Sequence, residues 1–150
     1  FKHTEMKDGM DIALCIIDTR TFKMQYAGAF NPIYVIRKNH LGSNILEFKA
    51  DRFPLGSHPK DTINFTTQEI QLQDDDALYM FSDGFVSQFG GSKPEKLRSM
   101  RFKEKLMAIS DISMQKQKLE LVQMLDEWKG NLEQIDDVLV LGVKMKLKDN

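Results

Sequence analysis

Up to about Gly84 the apolar positions either alternate with polar ones or run unbroken over a short stretch, the two signatures of β-strands. From Gly84 to Gly130 they fall three and four apart, the spacing of helices that pack by one face. Ile12 to Ile17 is an unbroken run with β-branched members and reads as a strand buried on both faces. After the turn Asp18-Thr19-Arg20-Thr21, Phe22 to Ala27 sets Phe22, Met24 and Tyr26 against Lys23 and Gln25, a half-buried hairpin partner. Gly28 and Asn31-Pro32 interrupt it. Ile33 to Arg37 and Asn44 to Lys49 follow, joined by the turn Lys38 to Gly42, and continue what reads as an antiparallel meander. Pro54, Gly56 and Pro59 make Asp51 to Pro59 a loop. Ile63 to Leu72 is the next strand, and Asp74-Asp75-Asp76 is a solvated turn whose acids lack the spacing of a calcium loop.

Leu78 to Ser82 and Val138 to Val143 are apolar on both alternating sets, as strands covered on both faces would be. Between them, Phe102, Leu106 and Ile109 mark one helix, and Leu121, Val122, Leu125 and Trp128 a second. Pro94 suits a first helical turn, Ser113 an N-cap and Gly130 a stop. Each helix has one apolar stripe and must lie on a sheet, which makes the fold class α+β.

Composition narrows the function. The 150 residues, 41% hydrophobic, suffice for one core and not for two, so 1–150 is taken as a single domain. A net charge of -1 gives no basic field of the kind nucleic acid requires. The lone cysteine, Cys15, lies in an apolar run, which excludes an internal disulfide and favours a buried thiol over a nucleophile; a reducing, cytoplasmic setting is expected. No apolar run approaches the roughly 20 residues of a membrane helix, so no membrane contact is expected of this stretch. The chain starts at Phe1 already in mid-pattern and reads as a piece of a longer protein. His3, His40 and His58 are widely spaced surface residues, and the nine methionines read as core filling.

The chemistry concentrates at two acidic stations. Leu78-Tyr79-Met80-Phe81-Ser82-Asp83-Gly84 delivers a carboxylate to the tip of a buried strand, beside a glycine that lets backbone approach closely. Alone, Ser-Asp-Gly is an ordinary turn. The last strand, however, is preceded by Asp136-Asp137. If the two strands are antiparallel neighbours, Asp83 and Asp136 face each other across one strand spacing of about 4.8 Å. Carboxylates that close repel unless a cation lies between them, and a hard divalent cation takes oxygen ligands.

With both stations in view, the chain resembles the metal-dependent protein phosphatases of the protein phosphatase 2C superfamily, in the bacterial branch typified by stage II sporulation protein E. The resemblance rests on Asp11-Ile12-Ala13-Leu14-Cys15 with Tyr26-Ala27-Gly28-Ala29, on Pro54-Leu55-Gly56, on Leu78 to Gly84, and on Asp136-Asp137-Val138, in that order. It implies an antiparallel β-sandwich flanked by helices, with a binuclear Mn2+ or Mg2+ centre at one edge. There a metal-bound water would attack phosphoserine or phosphothreonine. Asp83 and Asp136 match the family's metal ligands, with Asp137 as a neighbouring third. The family's first motif, Asp-x-x-Gly-His-Gly, is missing, and Asp8-Gly9 lacks its context. The implied domain is therefore N-terminally truncated, binding metal weakly and turning over little substrate alone. Where the family commonly has a glutamate after the Ser-Asp-Gly motif, this sequence has Gln88.

The implied partners are a phosphorylated protein, such as an anti-sigma-factor antagonist in a bacterial sigma-factor switch, and an N-terminal sensor domain in the parent chain. The basic excess of Lys93, Lys96, Arg98, Arg101, Lys103 and Lys105 over Glu95 and Glu104 would guide an acidic phosphoprotein, or else be a solvated helix face. The reading from another class is a non-catalytic pseudo-phosphatase that holds a partner on the same surface.

Overall fold

The computed structural model describes residues 9–40, 42–56 and 64–147. Its first strands are β1 (Gly9–Met10), β2 (Ile12–Ile17), β3 (Lys23–Ala29), β4 (Ile33–Asn39), β5 (Gly42–Phe48) and β6 (Leu55–Gly56). Then come β7 (Gln68–Gln71), β8 (Ala77–Phe81), the single turn α1 (Gly84–Ser87), β9 (Phe89–Gly90) and β10 (Glu95–Lys96). Two longer helices, α2 (Arg98–Ala108) and α3 (Met114–Lys129), precede the last strand, β11 (Val140–Lys144).

The principal strands form two antiparallel sheets, one ordered β11-β8-β4-β5 and the other β2-β3-β7. The core between them is built by alternation. Met24 and Tyr26 of β3, Ile33 and Val35 of β4 and Leu78 of β8 are buried together, with Ala13, Cys15 and Ile17 of β2 packed against them. Tyr34, Ile36, Tyr79 and Phe81 point from the other face of the four-stranded sheet, where Phe102, Leu106 and Leu121 of α2 and α3 cover them. Ring centroids lie 4.8 Å apart for Tyr34 and Phe81, 5.0 Å for Phe81 and Phe102, and 4.7 Å for Phe85 and Phe102. Each fully buried ring contributes roughly 2–3 kcal/mol. This cluster holds α1 and α2 on the end of β8. The expected β-sandwich flanked by helices is therefore present, with its helices on the four-stranded sheet.

Several sequence expectations are corrected. The strands do not form one meander, because the chain changes sheets between β3 and β4. At that corner Phe30 adopts φ 57° and donates its amide to the Asp51 carbonyl, and Pro32 has no amide to continue a ladder. β2 is not buried on both faces: it is a sheet edge, and Leu14 and Ile16 are 52% and 59% exposed. β11 is also an edge, with Leu141 half exposed. β8 alone of the two-faced runs is central, between β11 and β4.

The Asp74–Asp76 turn is not wholly solvated either. Asp76 is 1% exposed and takes two hydrogen bonds from Arg37, at 3.0 and 2.7 Å, and one from the Gln73 amide at 2.8 Å. Pro94 lies in the turn before β10 and not in α2. Val122 is off the buried stripe of α3, whereas Ser113 caps that helix through Lys116 and Gly130 ends it at φ 55°. Only Gln68–Gln71 of the predicted Ile63–Leu72 strand pairs as a strand, and Ile63 lies outside the described residues. Asp8, His3, His58 and Pro59 lie outside them as well; His40 is exposed, as expected. The methionines divide, Met24 and Met145 buried, Met10 and Met100 largely exposed.

Candidate metal site at the end of the central strand

β8 pairs with β11 in the register Phe81 to Val140, antiparallel as the site requires. Beyond that pair the ladder continues through a side chain. The Ser82 amide donates to the Leu139 carbonyl at 3.0 Å, and Ser82 Oγ both accepts from the Leu139 amide at 2.9 Å and donates to the Asp137 carbonyl at 2.8 Å. Extending the register places Val138, not Asp136, opposite Asp83. The acidic segment has left the sheet by then and crosses the start of α1. Asp83 and Asp136 are therefore not the directly opposed pair that the spacing suggested.

Gly84 shows how close this crossing is. A Cβ built there would lie 2.3 Å from the Asp137 carbonyl oxygen and 2.9 Å from its carbon. The glycine of Ser-Asp-Gly is required by the chain's own backbone, since its φ is not in the left-handed region. Asp83 itself occupies the N-cap position of α1 with φ -71° and ψ -14°, but its carboxylate caps nothing. It is exposed, as are Asp136 and Asp137. Asp136 Oδ1 accepts the Asp137 amide at 2.7 Å, and the Asp136 carbonyl accepts Gln134 Nε2 at 2.9 Å. Among the described residues no salt bridge involves any of the three carboxylates.

In kind, exposed carboxylate oxygens without an ion-pair partner among the described residues suit a hard divalent cation. In number they fall short, because among the described residues no group of three ligating side chains converges. The set present does not make a metal centre by itself, and no chemical step can be built through one here.

The family model of stage II sporulation protein E matches residues 2–146. The chain belongs to that family. Solved structures agree on the fold of this stage II sporulation protein E family member. The SiaA PP2C domain of Pseudomonas aeruginosa superposes with a TM-score of 0.80 at 25% identity, over 91% of this chain and 52% of that one. The phosphatase domain of the cell fate determinant SpoIIE from Bacillus subtilis, described as Mn presoaked, gives 0.64 at 17% identity over 93% and 58%. A Bacillus subtilis SpoIIE structure comprising the PP2C phosphatase domain and a fragment of the regulatory domain gives 0.66 at 19%, over 90% and 37%. The family member thus spans between 37% and 58% of the length of these structures. No match emerged among proteins of curated function.

Other sequence candidates resolve differently. Cys15 faces the sandwich core half-buried, and burial pushes its thiol up to about 11, the opposite of an activated nucleophile. The basic segment is largely paired: Arg101 and Arg98 lie 2.9 and 3.8 Å from Glu95, Lys103 2.8 Å from Glu47 and Lys105 2.5 Å from Glu120. The Arg101 hydrogen bond holds Glu95 below the usual carboxylate range, and the Arg101 guanidinium lies 4.3 Å over the Trp128 ring. These cations act mainly within the fold. Among the described residues, no helix is long and apolar enough to cross a membrane.

Sequence reasoning named Gln88 and Ser82 but assigned neither its partners. A serine next to an Asp-Gly turn signals a local hydrogen bond, but nothing along the chain announces that its partners are Asp137 and Leu139.

Proposed function

We propose that this chain is one incomplete part, 1–150, of a serine/threonine protein phosphatase domain, and that Asp83, Asp136 and Asp137 are metal ligands of the complete domain. What supports the reading is one contact above all: the Asp137 backbone folded against Ser82 and Gly84, which brings acids from two distant segments to one end of the sandwich. A bound Mn2+ or Mg2+ pair would supply an activated water and neutralise phosphoryl charge. The chain's own residues contribute oxygen donors on a fixed sheet end.

Incompleteness is supported by the share of the matched structures covered, 52% for the SiaA domain. Uncovered apolar surface supports it too. Leu14 and Ile16 stand free on β2, and a largely apolar cleft of about 910 Å³ opens between α3 and β11, lined by Leu121, Leu125, Val140 and Leu141 among others. The parent protein carries an N-terminal regulatory region and acts on a phosphorylated protein, an anti-sigma-factor antagonist in the cytoplasm.

In the complete domain, Asp83→Asn and Asp136→Asn each abolish Mn2+-dependent phosphate release from a phosphoserine peptide; retained release would overturn the reading. The chain alone should hydrolyse p-nitrophenyl phosphate with Mn2+ no faster than its Asp83→Asn variant. One observation favours the alternative of a non-catalytic binding module, namely that no three ligating side chains converge among the described residues. A complete domain inactive towards phosphoserine and phosphothreonine peptides would decide for that module.

A further inference from the structure

Gln88 is 0% exposed, and its side chain makes all its bonds through one end. Nε2 donates to the Glu133 carbonyl at 2.8 Å and to the Phe89 carbonyl at 3.0 Å, whereas Oε1 is buried with no partner. Both side-chain bonds therefore run through the donor end of the amide. The backbone of the same residue is a junction. Its amide donates to Gly84 at 3.1 Å, and its carbonyl accepts the Leu97 amide at 2.9 Å and Trp128 Nε1 at 3.0 Å. Gly90 and Gly91 then lie directly on Trp128: a Cβ on Gly90 would meet the Trp128 carbonyl oxygen at 1.8 Å, and the Gly91 amide donates to that oxygen at 3.0 Å.

From these contacts we infer that Gln88 is a positioning residue for the acidic segment. It ties the segment at Glu133, while Ser82 ties it at Asp137, so that Asp136 is strapped between two fixed points and referred to α1, α2 and α3 together. The role requires a donor. Both acceptors are backbone carbonyl oxygens, which a side chain without a donor leaves unsatisfied. The inference rests on the phosphatase reading for its consequence at the metal, but not for the strap itself.

The test uses the full-length protein with Gln88→Leu and Gln88→Met, neither of which carries a hydrogen-bond donor on its side chain, and Leu106→Val as a control that loosens the core under α2. Both Gln88 variants should raise amide hydrogen exchange across residues 132–139 at least tenfold more than across β4 and β5. They should also raise the half-saturating Mn2+ concentration for phosphate release at least tenfold, with the rate at saturating Mn2+ within threefold of the parent. Leu106→Val should do neither. Unchanged or uniformly raised exchange in the Gln88 variants overturns the strap. Raised local exchange with an unmoved Mn2+ dependence overturns its positioning role. A parent without Mn2+-dependent release refutes the phosphatase reading, while the exchange measurement still decides the strap.

Discussion

Ser82 Oγ donates to the Asp137 carbonyl at 2.8 Å, joining the residue before one candidate ligand to the backbone of another. The same oxygen accepts the Leu139 amide at 2.9 Å, so one hydroxyl completes the ladder where the regular pairing of β8 with β11 has ended.

Ser82→Ala removes both bonds and leaves the Leu139 amide without its partner. The expected cost is about 1–2 kcal/mol, read as a lower urea midpoint at unchanged slope. Exchange at the Leu139 amide should rise beyond the global effect; protection equal to the parent's would count against the hydroxyl's part in holding the segment.

Gly84→Ala places a methyl group 2.3 Å from the Asp137 carbonyl oxygen, which is backbone and cannot swing aside. Destabilisation of roughly 1–3 kcal/mol is expected, with chemical-shift changes concentrated at residues 135–139. A variant as stable as the parent, with those shifts unmoved, would show that the close approach is not maintained in solution.

Asp76→Ala strips the buried carboxylate from Arg37, whose guanidinium remains packed inside with the side chain 21% exposed. Breaking such a pair costs about 3–5 kcal/mol, while removing both charges together costs far less. Arg37→Met/Asp76→Leu should therefore be more stable than Asp76→Ala in chemical denaturation. Equal losses in the single and double variants would mean that the pair's stability lies elsewhere.

Alkaline titration should weaken the fold. Burial raises Cys15 from 9.0 to about 11, and raises Tyr26, Tyr34 and Tyr79 from 10.0 to about 12. In each case the neutral form is favoured in the folded state. The associated stability is fully present below the unfolded values near 9 and 10 and is lost as pH climbs through 11 and 12. Thiol labelling of Cys15 at pH 8 should be slow in the native chain and immediate in urea. Rapid native labelling, or phenolate absorbance from the buried tyrosines at pH 10, would contradict it.

The longer strands and the two long helices, and the acids near their ends, were legible in the sequence, because periodicity reflects which face a local segment must bury; the two-residue strands and the single turn α1 were not. Alternation set Met24 and Tyr26 inward, and the cap Ser113 and stop Gly130 bounded α3. Burial on both faces was misjudged for β2 and β11 because an unbroken apolar run has the same pattern in a central strand and in an edge strand; of the three such runs, only β8 has a strand on each side among the described residues. Tertiary structure alone decided that Asp76 is buried against Arg37, that Arg101, Lys103 and Lys105 of the basic segment pair with Glu95, Glu47 and Glu120, and that Asp136 is offset from Asp83. Those outcomes depend on register and on contacts between residues dozens of positions apart, such as Ser82 with Asp137 and Gln88 with Glu133. No local pattern encodes them, because each partner's type is compatible with many pairings until the backbone has folded.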